Sequence, residues 1–525
     1  MRADLEWGTI PGLLDSAAER FGAREAVVDG DTRITFEHLR VAARQAARGA
    51  IAMRVEPGDR VAIWAPNIHE WIVAALGALC AGGVLVPINT RFKGREAGFV
   101  LGKSKAKLLF TVRGFLDIDY PQLLTDAGVE VPSTVLLRGE GETDWEAFAK
   151  RAEEVDEALV DKRSTAISSD DLSDIIFTSG TTGQPKGVMT THAQSLRVFE
   201  VWSDIVGLRD GDRYLIVNPF FHTFGYKAGI LACLMRGATI VPHAVFDAGQ
   251  VMRRIGEEKI TVLPGPPTLY QSILNDPARG DLDLSSLRLA VTGAAVVPVE
   301  LIKRMRDELT FETILTAYGL TESTGTATMC RPDDDAETIA NTSGCAIPDT
   351  EVQVVDDDGK EVARGEPGEI VVKGYNVTQG YFEEPEQTAA TIVDGWLHTG
   401  DIGVMDARGY VKITDRKKDM FIVGGFNAYP AEIENELLRH EDIAQVAVVG
   451  APDERMGEVG VAFVVAKPNR SLDPTLITSW AKSQLANYKV PRLIVPVDAL
   501  PMNASGKVLK FELREQARKL VEEMK

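Results

Sequence analysis

Thr178-Ser-Gly-Thr-Thr-Gly-Gln-Pro-Lys-Gly187 follows directly on the apolar run Asp174-Ile-Ile-Phe177 and reads as a loop leaving a buried strand. The hydroxyls of Thr178, Ser179, Thr181 and Thr182 can donate to phosphate oxygens. Gly180 and Gly183 let backbone N–H groups approach closely, and Lys186 adds a point charge, so the stretch reads as a phosphate cradle. A Walker A loop needs Gly before its Lys and Ser or Thr after it. Here Lys186 stands between Pro185 and Gly187, which sets the loop apart from the ordinary P-loop hydrolases. A bare Gly/Thr cluster is more often a polar surface turn; the full decamer behind a strand favours a nucleotide site.

Outward from this loop, short β-branched runs alternate with helical patterns. Arg60–Trp64, Lys107–Val112, Tyr214–Val217, Ala238–Val241, Thr261–Leu263 and Leu287–Val291 read as strands, and Glu300–Leu309 as a helix. The alternation predicts largely parallel sheets with helical crossovers, an α/β class. From about residue 350 the pattern becomes strands with short turns: Glu351–Val355, Glu369–Val372 and Tyr410–Thr414. Helical spacing resumes at Pro430–Leu438, with Pro430 suited to a first turn. A chain of 525 residues exceeds one compact core. The boundary is placed near Lys418, giving an N-terminal domain 1–417 and a small α+β C-terminal domain 418–525. Residues 149–172 are charged enough for an exposed helix and linker.

A net charge of -20 disfavours nonspecific binding to nucleic acid or anionic lipid. Any anionic substrate must therefore meet local lysines, arginines, metal or backbone amides. Cys80, Cys233, Cys330 and Cys345 are scattered without metal-ligand spacing, which fits reduced thiols in a cytoplasmic protein. The N-terminus lacks a basic segment followed by an apolar run, so no export signal is expected. Trp71–Ile88 is uncharged and long enough to span a membrane, but Gly82-Gly83 and Pro87 divide it into a helix, a turn and a buried strand. No transmembrane segment is expected.

Further along lie Tyr318-Gly-Leu-Thr-Glu322, Trp396-Leu-His-Thr-Gly-Asp401, Ile413-Thr-Asp-Arg416 with Lys417-Lys-Asp419, Gly424-Gly-Phe-Asn427 and Asn503-Ala-Ser-Gly-Lys507. Singly, each is more often solvated surface. In this order and spacing, together with the decamer, they resemble the adenylate-forming superfamily of acyl-CoA synthetases, luciferases and peptide-synthetase adenylation domains. The resemblance implies a large N-terminal domain of parallel sheets and helices closed by a distorted β-barrel, then a small mobile α+β domain. It also implies a reaction in which a carboxylate attacks the α-phosphate of ATP and releases pyrophosphate. CoA then converts the acyl-adenylate to acyl-CoA and AMP, with Mg²⁺ as cofactor.

By the same resemblance, the ATP site comprises Thr178, Ser179, Gly180, Thr181, Thr182, Gly183 and Lys186 around the phosphates, and Gly293, Ala294 and Ala295 beside adenine and acyl group. Tyr318 stacks on adenine, Gly319 and Thr321 complete its motif, and Glu322 is the Mg²⁺ ligand. Asp401 and Arg416 correspond to the pair at the ribose, where a carboxylate accepts two hydroxyls and a guanidinium supplies several donors. Lys507 corresponds to the lysine that bridges carboxylate and α-phosphate, and Lys418 to the hinge. Gly424, Gly425 and Phe426 would line the CoA tunnel.

His222, in Asn218-Pro-Phe-Phe-His-Thr-Phe-Gly225, resembles the gate between acyl pocket and tunnel, although a His after aromatics is usually a packed core residue. Lys507, His222 and Glu322 are thus the candidate catalytic residues. The segment lacks the aspartate that pairs an amino-acid ammonium, and no carrier domain follows Lys507, so free CoA and a non-amino acid are expected. Asn218–Gly229, Leu263–Thr268, Thr316–Glu322 and Met329–Pro332 are similar to actinobacterial CoA ligases acting on the hexahydroindanedione propanoate of steroid degradation. Thr223 replaces a larger amide expected there, which bears on pocket shape. Lys227 would meet a substrate keto oxygen or lie on a helix surface. A medium-chain fatty acid or aryl acid is the alternative substrate, and a catalytically silent adenylate-binding scaffold the alternative of another class. Retention of Lys507, Glu322 and Asp401 argues against the scaffold. A homodimer is left open.

Overall fold

The computed structural model describes residues 2–523 except 142, 179–184, 294–296, 417–418, 424–425, 454–455, 486 and 503–507. Contacts divide the chain into two compact units. One comprises the N-terminal part through Val352 with Val372–Leu397; the other comprises Gln353–Val371 with His398–Lys525.

The first unit is the expected α/β assembly. One sheet runs in the order Ile118–Asp119, Leu108–Phe115, Arg60–Trp64, Val84–Pro87, Leu172–Thr178, Lys186–Thr191, with Ser133–Arg138 beside Leu108–Phe115. Its central pairs are parallel, and Val84–Pro87 is buried at all four positions, as an apolar strand covered on both faces must be. Leu172–Thr178 and Lys186–Thr191 are antiparallel, which places Thr178 directly opposite Lys186. A second sheet carries Arg213–Ile216, Thr239–Pro242, Glu25–Asp29 and Thr32–Thr35 in that order. Leu289–Thr292 and Thr313–Tyr318 run parallel to each other. Thr261–Leu263, expected as a strand, supplies bridges at Val262 to Tyr214 and Leu289, because Pro264, Pro266 and Pro267 follow at once and cannot donate to a ladder.

Trp71–Ile88 is core, as read. Helix His69–Cys80 is buried from Glu70 to Cys80, and residues 81–83 turn the chain into Val84–Pro87. It packs closely on Phe36–Ala52: a Cβ at Gly77 would lie 2.5 Å from Ala46 Cβ, so glycine permits the approach. Among the described residues no helix is long and apolar enough to cross a membrane.

In the second unit, the Asp401–Met405 part of the strand Trp396–Met405 pairs antiparallel with Val411–Arg416 in the β-rich region expected after residue 350. The remainder is α+β. A sheet of Phe426–Ala428, Phe421–Val423, Gly457–Ala466 and Ile443–Asp453, with Leu493–Pro496 beside Gly457–Ala466, is covered on both faces. Alternation along the strands assigns the faces. Val448, Ala462 and Val464 pack with Ile433, Leu437, Ile477 and Ala481, whereas Val449, Val461 and Phe463 pack with Leu513, Ala517 and Val521.

Candidate active site

Thr178, Gly293, Tyr318 and the segment from Asn218 all stand at or just beyond the C-terminal ends of strands that run parallel to their neighbours. In open α/β sheets this edge is where ligands bind, because the connections to the helices diverge there. Thr292 and Thr316 are register partners, so the turn beginning at Gly293 lies next to the strand end at Tyr318. A Cβ at Gly293 would lie 3.1 Å from Ala317 O. Ala294 and Ala295 fall outside the described residues, as do Ser179, Gly180, Thr181, Thr182 and Gly183.

Glu322 sits on a single helical turn, Thr321–Ser323, that the surrounding chain holds from several sides. Leu320 N donates to Ser323 Oγ at 2.9 Å and Gly325 N donates to Leu320 O at 2.8 Å. The buried Thr324 Oγ1 donates to Asn376 O at 2.7 Å. Thr378 N donates to Glu322 O at 2.8 Å. Gly319 is obligatory here: a Cβ would fall 2.3 Å from Gly325 O, inside the backbone of the same turn. Tyr318 is buried at the end of its strand, where it pairs with Thr328.

Tyr381 joins the acidic and basic candidates. Its Oη donates to Glu322 Oε1 at 2.9 Å, and Lys186 Nζ lies 4.9 Å from its ring centroid while donating to Gln387 Oε1 at 2.8 Å. Burial, reinforced by the Glu322 charge, pushes the Tyr381 phenol well above its ordinary value, so it remains a neutral donor. The other Glu322 oxygen takes no hydrogen bond from any described residue, which leaves a hard oxygen ligand of the kind Mg²⁺ prefers. Neither Tyr381 nor Gln387 belongs to a short motif, and sequence reading missed both; Tyr381 lies 59 residues beyond Glu322.

His222 follows the strand Arg213–Ile216 on a turn pinned by Asn67. Asn67 is buried, donates to Ile216 O at 3.1 Å and Asn218 O at 2.9 Å, and accepts from Phe220 N at 2.8 Å. Sequence reading missed it, because it lies far from the turn it holds. The His222 imidazole is exposed, and partial desolvation by the surrounding protein lowers its pKa. Its Nδ1 accepts from Phe224 N at 3.2 Å, so in the neutral ring the proton resides on Nε2.

The chain then enters a π-helix, Phe224–Leu231, buried from Gly225 to Leu231. Lys227 is neither a surface lysine nor free to meet a keto oxygen. Its Nζ is 2.9 Å from Asp174 Oδ1, with side-chain exposures of 1% and 0%. Because the helix is enclosed on all sides, its lysine is buried whichever way it points, which ordinary helical spacing does not foresee. Thr223 is likewise buried and packs at Gly325, where a Cβ would lie 2.4 Å from Thr223 Cγ2.

In the second unit, Asp401 is buried on Trp396–Met405 and is the register partner of Arg416. Asp401 N donates to Thr399 Oγ1 at 3.1 Å, and Thr399 Oγ1 in turn donates to Ile370 O at 2.7 Å. Phe426 lies in the short strand Phe426–Ala428. Lys418, Gly424, Gly425 and Lys507 fall outside the described residues.

The model of the AMP-binding enzyme family matches residues 14–382, and that of the AMP-binding enzyme C-terminal domain matches residues 432–507. The chain belongs to the AMP-binding enzyme family. Its activity is ATP-dependent ligation of an acid to CoA through an acyl-adenylate. It is 51% identical to the 3-[(3aS,4S,7aS)-7a-methyl-1,5-dioxo-octahydro-1H-inden-4-yl]propanoyl:CoA ligase of Rhodococcus jostii (strain RHA1), over 97% of this chain and 98% of that one. Identity to the ligase of the same name from Mycobacterium tuberculosis is 49%, over 97% and 98% of the two chains. Among solved structures, the anthranilate CoA ligase AuaEII in complex with anthranoyl-AMP aligns with a TM-score of 0.87 at 27% identity, covering 99% and 100% of the chains. O-succinylbenzoate CoA synthetase (MenE) from Bacillus subtilis, in complex with ATP and magnesium ion, aligns with a TM-score of 0.81 at 30% identity, covering 95% and 98%.

Proposed function

We propose that this ligase activates a bicyclic keto propanoate derived from steroid breakdown. The observation that carries the assignment is 51% identity, over nearly the whole chain, to a ligase named for such an acid. In the first step the acid carboxylate attacks the α-phosphorus of ATP. The new O–P bond forms as the bond to pyrophosphate breaks. Thr178, Ser179, Thr182 and Lys186 hold the departing phosphates, Tyr318 stacks on adenine, and Asp401 and Arg416 hold the ribose. Lys507 spans the carboxylate and α-phosphate, placing one positive charge between two anions that must meet.

Glu322 would hold Mg²⁺, a cation that takes carboxylate oxygen, beside the hydrogen bond from Tyr381. Its chemistry there would be to neutralise phosphate charge. In the second step the CoA thiol attacks the acyl carbon, its proton is lost, and the bond to AMP breaks. The boundary at Lys418 divides domains 1–417 and 418–525, and rotation about this hinge exchanges Lys507 for Gly424, Gly425 and Phe426 at the site. His222, neutral and carrying its proton on Nε2, stands between acyl pocket and thiol path. The setting is cytoplasmic, which suits ATP and CoA and four cysteines that are all free thiols.

The test is an AMP-release assay with CoA over bicyclic keto propanoates, octanoate and benzoate. The proposed acid should give the highest kcat/KM. A clear preference for octanoate would remove the steroid assignment and leave the ligase chemistry standing, whereas ADP as product would remove both.

A further inference from the structure

Lys227 and Asp174 form a buried ion pair that the reaction as described does not use. Their separation is 2.9 Å, and both side chains are essentially inaccessible to solvent. The surroundings are polar but sparse. Asp174 Oδ2 accepts from Ser173 Oγ at 2.7 Å, and Ser173 Oγ lies 3.2 Å from both Ser195 Oγ and Thr190 O.

Removing two ions from water is costly, and a well-packed apolar pair of similar volume is often as stable or more so. Fold stability is therefore a poor reason for this pair. A specific pairing of opposite charges can instead fix a register that apolar packing would let slip. The place where register matters is clear from the chain. Asp174 is four residues before Thr178, on the strand that delivers the phosphate loop, and Lys227 is five residues after His222, in the π-helix. A π-helix turns less per residue than an α-helix, so the direction in which Lys227 leaves Phe224–Leu231 depends on the winding.

The N-terminal end of that helix is also coupled to the turn that carries Glu322. Thr223 packs at Gly325, and the Phe224 ring meets Trp202 edge-on at 6.3 Å. Gly225 allows the helix to start tightly against Pro219, whose carbonyl oxygen would lie 2.1 Å from a Cβ.

We propose that Lys227 and Asp174 are positioning residues for acid activation: their contact holds the π-helix in register and so sets His222 and Thr223 relative to the strand that ends at Thr178. The inference rests on the adenylation reading above and concerns the acid side of the site rather than the nucleotide.

The experiment begins with the wild-type acid panel, whose failure would count against the adenylation reading alone. Lys227→Met, Asp174→Asn, the double variant and Ser173→Ala are then compared by thermal melting and by separate titrations of acid and ATP. Each charge-removing single variant should lower kcat/KM for the preferred acid by about tenfold to a hundredfold, the scale of a small misplacement at a reacting group. KM for ATP should stay within about twofold, and discrimination against octanoate should shrink. The double variant should be no worse than either single, because one coupled contact is lost only once. Variants that melt earlier but keep both kcat/KM and acid discrimination would overturn the proposal and leave a stabilising pair. If the charge-removing variants do not fold, Ser173→Ala decides, since it keeps both charges and removes a hydroxyl that orients Asp174. A raised KM for acid with unchanged KM for ATP supports positioning, and no change in either refutes it.

Discussion

Tyr381 Oη donates to Glu322 Oε1 at 2.9 Å, and Lys186 Nζ stands 4.9 Å from the same ring. One buried phenol thus meets a carboxylate and borders the Lys186 cation. Its acidity is suppressed by burial and by the neighbouring charge, so it acts as a fixed donor. A carboxylate with one oxygen so occupied presents the other in a defined direction.

Tyr381→Phe removes this donor while keeping the ring beside Lys186. A hydrogen bond to a charged group is worth about 1.5 to 3 kcal/mol, so kcat/KM should fall roughly tenfold to a hundredfold. The Mg²⁺ concentration for half-maximal AMP release should rise. An unchanged Mg²⁺ titration would show that Tyr381 does not orient the Glu322 carboxylate.

Gly319→Ala should disrupt the turn that places Glu322, because the new Cβ would meet backbone 2.3 Å away rather than a movable side chain. The expected loss is about 2 to 4 kcal/mol of stability, with weaker ATP binding. Melting curves with and without ATP report both. A variant with wild-type melting and ATP affinity would show that the turn can absorb the methyl group.

His192 supplies a pH dependence of stability. It is buried, its Nδ1 accepts from Ile10 N at 3.2 Å, and burial pushes its pKa down to about 4. The unfolded chain, with an ordinary value near 6.5, binds the proton first as pH falls. The contribution is therefore complete above about pH 6.5 and is lost progressively down to about pH 4, on the order of 3 kcal/mol in all. His192→Asn should flatten the melting temperature across this window relative to wild type, as measured by calorimetry. Parallel curves would assign the acid sensitivity to other groups.

Lys507→Ala and Gly425→Leu should separate the two half-reactions. Loss of the bridging charge should slow adenylation by about a hundredfold to several thousandfold, or 3 to 5 kcal/mol, and largely spare CoA attack on supplied acyl-adenylate. A side chain at Gly425 should do the reverse by obstructing the thiol path. If Lys507→Ala slows both half-reactions equally, the exchange of faces about Lys418 does not occur.

The α/β class, the strand before Thr178 and the helix–turn–strand division of Trp71–Ile88 were all legible in the chain. They depend on local pattern: apolar runs, Gly and Pro positions, and periodicities that act within a few residues. Thr261–Leu263 read as a full strand because its β-branched character is local, whereas the bridges it forms depend on the prolines beyond it.

Other relationships arose when the sheets brought distant segments together. Tyr381 reaches Glu322, and Asn67 pins the turn before His222. No spacing rule announces partners so far apart, since strand order and register select them. Lys227 shows the limit most clearly. Its charge argued for a surface, but a π-helix enclosed by protein directs it to Asp174, and whether a charge can be buried depends on the partner that packing supplies.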